Sequence, residues 1–137
     1  LEDYERAFAV NARATWLLIR EYGRRFQGAH GTGRVISLTS DHTVGNLPYG
    51  ASKGALDRIT LAAAHELAPL GITANVINPG PVDTGWMSDD IRDHVVRQTP
   101  LGRLGNPQDT AHLVEFLCSP RGQWINGQLL KSNGGLA

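Results

Sequence analysis

Tyr49-Gly50-Ala51-Ser52-Lys53 sets a phenol and an ammonium at i and i+4, which a helix stacks on one face. A nearby cation favours the ionised form of a phenol, so such a pair suits proton exchange with an alcohol or ketone near neutral pH. Alone the spacing is weak, because ordinary residue frequencies produce it often and a surface helix pair is the plainer reading. Two neighbouring features reverse that balance. Ser40 ends a strand-like run and opens the loop before Tyr49, where a hydroxyl can donate to a substrate oxygen beside the phenol. Asn78-Pro79-Gly80-Pro81-Val82-Asp83-Thr84 leaves the next strand-like run, and its backbone and the Thr84 hydroxyl can hold an amide. Ser37 and Thr39 compete for the hydroxyl role, though Ser40 best fits a strand end.

These residues need a scaffold, and the chain spells one out. Tyr4, Phe8, Ala12, Thr15, Ile19, Tyr22 and Phe26 recur at steps of three and four and predict one amphipathic helix, broken by the segment from Gly28 to Gly33. Arg34 to Ser40 reads as a short, largely buried strand. A helix from about Tyr49 to Leu67 follows, stopped by Pro69 and Gly71, and then a strand over Ile72 to Ile77. Ser88-Asp89-Asp90 caps a short polar helix reaching about Gln98, inside an excursion of the kind that covers ligands. Asn106-Pro107-Gln108-Asp109 starts another helix, which ends before Pro120, and Gly127 to Lys131 reads as a last strand. Crossovers this long join parallel strands, so the expected fold is a doubly wound α/β layer with a three-stranded, Rossmann-like partial sheet. Strand carboxyl ends are where such folds bind ligands, and Ser40, Tyr49 and the Pro79 turn share that rim.

Composition narrows the partners. In 137 residues, thirteen basic against thirteen acidic side chains leave no net charge, so nothing favours nucleic acid or an anionic membrane. No apolar run approaches the ~18 residues of a membrane span. The single cysteine, Cys118, fits a reducing compartment, and the five histidines lack metal-ligand spacing, so no metal is expected.

The chain resembles the short-chain dehydrogenase/reductase family along essentially its whole length. The resemblance rests on Val35-Ile36-Ser37-Leu38-Thr39-Ser40, Tyr49-Gly50-Ala51-Ser52-Lys53-Gly54-Ala55-Leu56 and Gly71-Ile72-Thr73-Ala74-Asn75-Val76. It continues through Pro79-Gly80-Pro81-Val82-Asp83-Thr84, Pro100-Leu101-Gly102-Arg103-Leu104-Gly105 and the Gly127-Gln128-Leu129 to Gly134-Gly135 ending. The compact ending resembles the ketoreductase subclass that includes 3-oxoacyl-carrier-protein reductases. The resemblance implies hydride transfer between NAD or NADP and a ketone or secondary alcohol. Tyr49 would exchange the proton, Lys53 would hold the nicotinamide ribose and relay protons, and Ser40 would orient the substrate carbonyl. Val82 and Thr84 would bind the carboxamide of the cofactor, with Pro79 and Gly80 shaping that cofactor-binding turn, and Asn11 would hold a water of the proton relay. Asn11 sits at the margin of the apolar stripe, where a solvated helix asparagine is the alternative. A cytoplasmic homo-oligomer, burying the first two helices against a partner, is implied as well.

Two departures accompany the match. The loop from Ser40 to Tyr49 is shorter than is usual in the family. The family's Gly-rich phosphate turn, its adenosine-selecting residue and its Asn-Asn-Ala-Gly segment have no counterpart here. Residues 1–137 are thus expected to be the carboxy-terminal half of a single domain, inactive alone, with a first strand that lacks a neighbour on one side and is prone to association. The rival reading is a non-catalytic remnant serving as an interaction module. Among lesser candidates, His42 reads as an ordinary loop residue, Cys118 as a small core residue and Arg103 as structural, while Trp86 and Met87 could line an apolar pocket or simply pack the lid.

Overall fold

A computed structural model describes residues 1–136. In chain order the elements are α1 (Glu2–Phe8), a π-helical turn (Ala9–Arg13), α2 (Ala14–Arg25), β1 (Gly33–Leu38) and α3 (Leu47–Glu66). They continue with β2 (Ile72–Asn78), α4 (Asp89–Gln98), α5 (Pro107–Cys118) and β3 (Leu129–Lys131). The sheet has the order β1-β2-β3 and is parallel throughout. It is the α/β layer that the alternation of elements predicts, with β1 at one edge.

The expected first helix is not one regular piece. A π-helical turn over Ala9–Arg13 interrupts it, centred on Asn11. Such turns occur mostly inside α-helices and often near functional sites. The Thr15 hydroxyl donates to the Asn11 carbonyl at 2.7 Å and satisfies that backbone acceptor from a side chain.

Helix α3 packs on one face of the sheet through small residues. Ala63 and Ala64 close over Ala74 of β2, with Ile19, Val35 and Leu67 around them. Side chains this small let the helix approach the strands closely. Side chains alternate across a strand, so Arg34 projects from the opposite face to Val35. Its Nε donates to the Leu117 carbonyl of α5 at 3.0 Å, which sets α5 against that second face.

Two asparagines, the buried Asn75 and the half-buried Asn126, bind the last strand into the layer. Asn75 Nδ2 donates to the Ile125 carbonyl at 2.8 Å, and its Oδ1 accepts from Gln128 N–H at 3.0 Å. Asn126 Oδ1 accepts from Ala74 N–H at 2.9 Å while its Nδ2 donates to the Ala64 carbonyl at 2.8 Å. One amide thereby spans helix, strand and loop. No helix among the described residues is long and apolar enough to cross a membrane.

The start of α5 is the capping arrangement the sequence foretells. Asn106 Oδ1 accepts from Asp109 N–H at 3.0 Å, and Asp109 Oδ2 accepts from Asn106 N–H at 2.9 Å. Arg103 adds a two-pronged grip on Asp109 at 2.7 and 2.9 Å, the structural role expected of it. The Arg103 guanidinium, then the Asn106 N–H, lowers the Asp109 carboxyl from 3.8 to about 2. The folded-state value lies below the unfolded one. Its stabilisation is therefore complete above the ordinary carboxyl range and is lost as pH falls toward about 2. In the intact protein, Asp109→Asn is expected to lower the melting temperature at neutral pH, with the deficit shrinking as pH drops below about 4. Calorimetry across that range checks it, and a deficit independent of pH would contradict the account.

Candidate active site

The carboxyl end of β1 presents three hydroxyls in different settings. Ser37 is buried and shares a 2.7 Å hydrogen bond with Thr60 of α3. Thr39 is buried as well, and its Oγ1 lies 3.5 Å from the Lys53 carbonyl. Ser40 stands beyond the strand, half-buried, and its Oγ accepts from the His42 N–H at 3.1 Å. That bond uses a lone pair and leaves the Ser40 hydroxyl proton free to donate. His42 itself is exposed on the loop.

Tyr49 and Lys53 lie in the first turns of α3, where Pro48 is the second residue. Both are half-buried, and the Lys53 ammonium is 5.7 Å from the centre of the Tyr49 ring. Lys53 Nζ donates to the Leu38 carbonyl at 2.8 Å, which ties the ammonium to the end of β1. Burial pushes the Lys53 ammonium down from its usual value, and the Asp57 carboxylate pushes it back up. Burial likewise raises Asp57, against the lowering effects of the Thr39 hydroxyl, Lys53 and Arg58.

Asn11 reaches the same turn of α3 from the π-helical segment. Its Nδ2 donates to Ser52 Oγ at 2.9 Å, and Ser52 Oγ donates to the Tyr49 carbonyl at 2.7 Å. Ser52 is fully buried. Asn11 is therefore not a solvated helix residue, since its side chain braces the backbone that carries the phenol. Sequence reasoning passed over Ser52. Its one visible signal was a polar residue inside the Tyr49–Lys53 motif, flanked by small residues.

The turn after β2 is held from several sides. Asn78 Oδ1 accepts from the Gly80 N–H at 3.0 Å. Gly80 has φ +64°, and a Cβ there would lie 2.8 Å from Asn133 Cα, so both conformation and space require glycine. Val82 bridges to Gly105 in parallel fashion, with Gly105 N–H donating to the Pro81 carbonyl at 3.1 Å and Asp83 N–H to the Gly105 carbonyl at 3.0 Å. Arg92 of α4 pairs with Asp83 at 2.9 Å. Among the described residues, the Val82 N–H and the Thr84 N–H and hydroxyl take no internal partner. Thr84 is exposed. A carboxamide needs both a donor and an acceptor from its site, and this turn offers free groups of that kind. Lys53 retains unused donors for ribose hydroxyls, since an ammonium has three. These residues fit the nicotinamide end of a dinucleotide.

The lesser candidates separate clearly. Met87 is buried, whereas Trp86 is 68% exposed. Cys118 is exposed, which corrects the expectation of a small core residue. It closes α5 just past the buried Leu117, and the one-residue step turns it outward.

The family model described as enoyl-(acyl carrier protein) reductase matches residues 1–137. The chain belongs to the short-chain dehydrogenase/reductase family. It is 45% identical over 133 residues to the uncharacterized oxidoreductase YjdA of Bacillus subtilis, covering 93% of this chain and 53% of that protein. It is 34% identical to the 3-oxoacyl-[acyl-carrier-protein] reductase FabG of Rickettsia bellii, over 98% of this chain and 58% of the relative. A solved structure of a blue fluorescent protein from a metagenomic library, in complex with NADPH, superposes with a TM-score of 0.88 at 34% identity. That match covers 100% of this chain and 57% of the other. The chain spans about half the length of the curated relatives it matches.

The short loop between Ser40 and Tyr49 rests directly on α3. A Cβ at Gly50 would lie 2.6 Å from Thr43 Oγ1, 2.7 Å from Thr43 Cα and 2.9 Å from the His42 carbonyl. Two of those atoms are backbone, so the loop itself must move to admit a methyl group. Gly50→Ala is expected to destabilise the intact protein by about 1–3 kcal/mol and to speed amide exchange across residues 41–46. Denaturant titration and hydrogen exchange check it. Parent-like values in both would show that the loop is not seated on Gly50.

Proposed function

We propose that the protein containing this chain transfers a hydride between a nicotinamide cofactor and a ketone or secondary alcohol. Supporting it above all is the shared rim: Ser40 follows β1, Tyr49 and Lys53 begin α3 beside it, and the Pro79–Thr84 turn follows the neighbouring β2. The cofactor, NAD or NADP, supplies the redox chemistry when bound; the chain supplies orientation and a proton. Tyr49 gives the proton to the nascent alkoxide oxygen in reduction and takes it back in oxidation. Ser40 donates its free hydroxyl proton to the same substrate oxygen and fixes its direction. Lys53 donates to ribose hydroxyls and keeps a positive charge near the phenol. Val82 and Thr84 hold the carboxamide, with Pro79 and Gly80 fixing the turn. Asn11 braces the Tyr49 backbone through Ser52 and shares in the proton relay.

A 3-oxoacyl thioester or a similar small carbonyl compound is the favoured substrate class, in keeping with the likeness to FabG. NADPH as one of the possible cofactors is in keeping with the solved relative. The working form is a homo-oligomer of this chain's protein. Val10, Trp16, Leu17 and Leu18 all stand at least 40% exposed on the first helical run, a cluster suited to burial against another copy.

In the intact protein, Tyr49→Phe is expected to abolish carbonyl reduction and leave cofactor affinity nearly unchanged. The ring stays while the transferable proton goes. Steady-state assays with a ketone panel check it, and turnover within tenfold of the parent, about 1.4 kcal/mol of barrier, would remove Tyr49 from the role of acid. Lys53→Met is expected to weaken NAD(P)H binding by at least about tenfold, measured by fluorescence titration. Unchanged affinity would assign Lys53 to the surface.

A further inference from the structure

Val82 and Thr84, the groups proposed to hold the carboxamide, flank Asp83, and the bonds that restrain this stretch meet at Asp83. Its N–H donates to the Gly105 carbonyl at 3.0 Å. Its Oδ1 accepts from the Gly85 N–H at 2.9 Å, so the side chain closes a ring of backbone around Thr84. Thr84 has no internal partner of its own among the described residues. The direction its N–H and hydroxyl face is therefore set by the Asp83 carboxylate. That carboxylate is held in turn by α4: Arg92 Nε donates to Asp83 Oδ2 at 2.9 Å, and Arg92 Nη2 lies 3.5 Å from Oδ1. A two-point contact of this kind fixes the plane of a carboxylate as well as its place. We propose that Arg92 is a positioning residue for the cofactor: through the Asp83 carboxylate it keeps Thr84 in the orientation that meets the carboxamide. The proposal rests on the reading of Val82 and Thr84 as the carboxamide holders and assigns what fixes them.

A residue can hold another only if it is fixed itself. Arg92 lies in the first turn of α4, where its N–H donates to the Ser88 carbonyl at 2.9 Å. Ser88 caps that helix, its Oγ accepting from the Ile91 N–H at 3.4 Å, and Met87 just before it is buried. An arginine that served only its own helix would pair within it. Arg92 does reach Asp89, three residues back, at 3.0 Å, but the Asp89 side chain is 95% exposed against 30% for Asp83. The bond to the turn is the better shielded of the two, where water and salt weaken it less. With the guanidinium gone, the Asp83 carboxylate keeps one neutral donor, the Gly85 N–H, and turns more freely. The ring around Thr84 then loosens.

The test separates the nicotinamide end of the cofactor from the rest of it. The probes, titrated into the intact protein by calorimetry, are the reduced cofactor that the parent binds and the matching ADP-ribose, which has no nicotinamide. Arg92→Met is expected to weaken the reduced cofactor by about threefold or more and to leave ADP-ribose affinity unchanged. Equal losses for both probes, or none for either, would overturn the proposal. Asp83→Asn is expected to reproduce the same pattern, and the double variant to lose no more than either single one. Losses that add would show that the two residues act separately, against the proposal. A second readout needs no cofactor: the Thr84 and Gly85 amides, followed by nitrogen relaxation, are expected to gain motion in Arg92→Met. Amides as ordered as in the parent would overturn the proposal. A parent that binds neither NADH nor NADPH would count against the proposed reaction, and the amide motion would still decide this inference.

Discussion

Parallel pairing of β1 with β2 is the constraint on which the candidate site depends. The register sets Leu38 beside Ile77, and the ladder runs one step further, with Thr39 N–H donating to the Ile77 carbonyl at 2.9 Å. Parallel strands end on the same side of a sheet, so the chain leaving β1 and the chain leaving β2 emerge as neighbours. The crossover between them must then return across the sheet, and α3 is that return. Its first turns begin beside the end of β1, where Lys53 meets the Leu38 carbonyl. An antiparallel pairing would carry Ser40 and the Pro79 turn to opposite ends of the layer.

Packing protects that register. The alanines of α3 over Ala74 hold helix and strand close, and the paired Ser37 and Thr60 hydroxyls satisfy each other in the same layer. Polar groups add their own specificity to the apolar packing. Asn75 and Asn126 spend their amides on backbone groups of the last loop and strand, which fixes β3 against β2 at a single offset. A slip of one residue would strand those amides without partners, at a cost of several hydrogen bonds.

What could be read from the sequence was what is decided locally. Asn106, Pro107 and Asp109 lie within one turn, and their capping geometry follows from their order. The strand-like run ending at Ser40 and the Pro79-Gly80 stop are local as well, and from them the rim could be anticipated. The role of Asn11 was illegible because its bond to Ser52 joins residues far apart in the chain. Asp57 escaped notice for a related reason: an acid on a helix reads as solvated until the fold shows which atoms water cannot reach. Cys118 misled because a cysteine among apolar neighbours suggests burial, while the helix's own rotation sends it outward. The outer side of β1, with Leu38 at 46% exposure, is likewise a matter of what lies beside the strand rather than of its residues.

The ion pair between Arg92 and Asp83 joins two parts that would otherwise move separately. Asp83 belongs to the turn after β2, and its other oxygen accepts from the Gly85 N–H at 2.9 Å. Arg92 belongs to α4, the helix of the excursion, and also grips Asp89 at 3.0 Å within its own helix. A swing of α4 must therefore either break a charge-assisted bond or carry Asp83 and its neighbours along. One guanidinium thus ties the excursion to the same short stretch of backbone that leaves Val82 and Thr84 with open hydrogen-bonding groups.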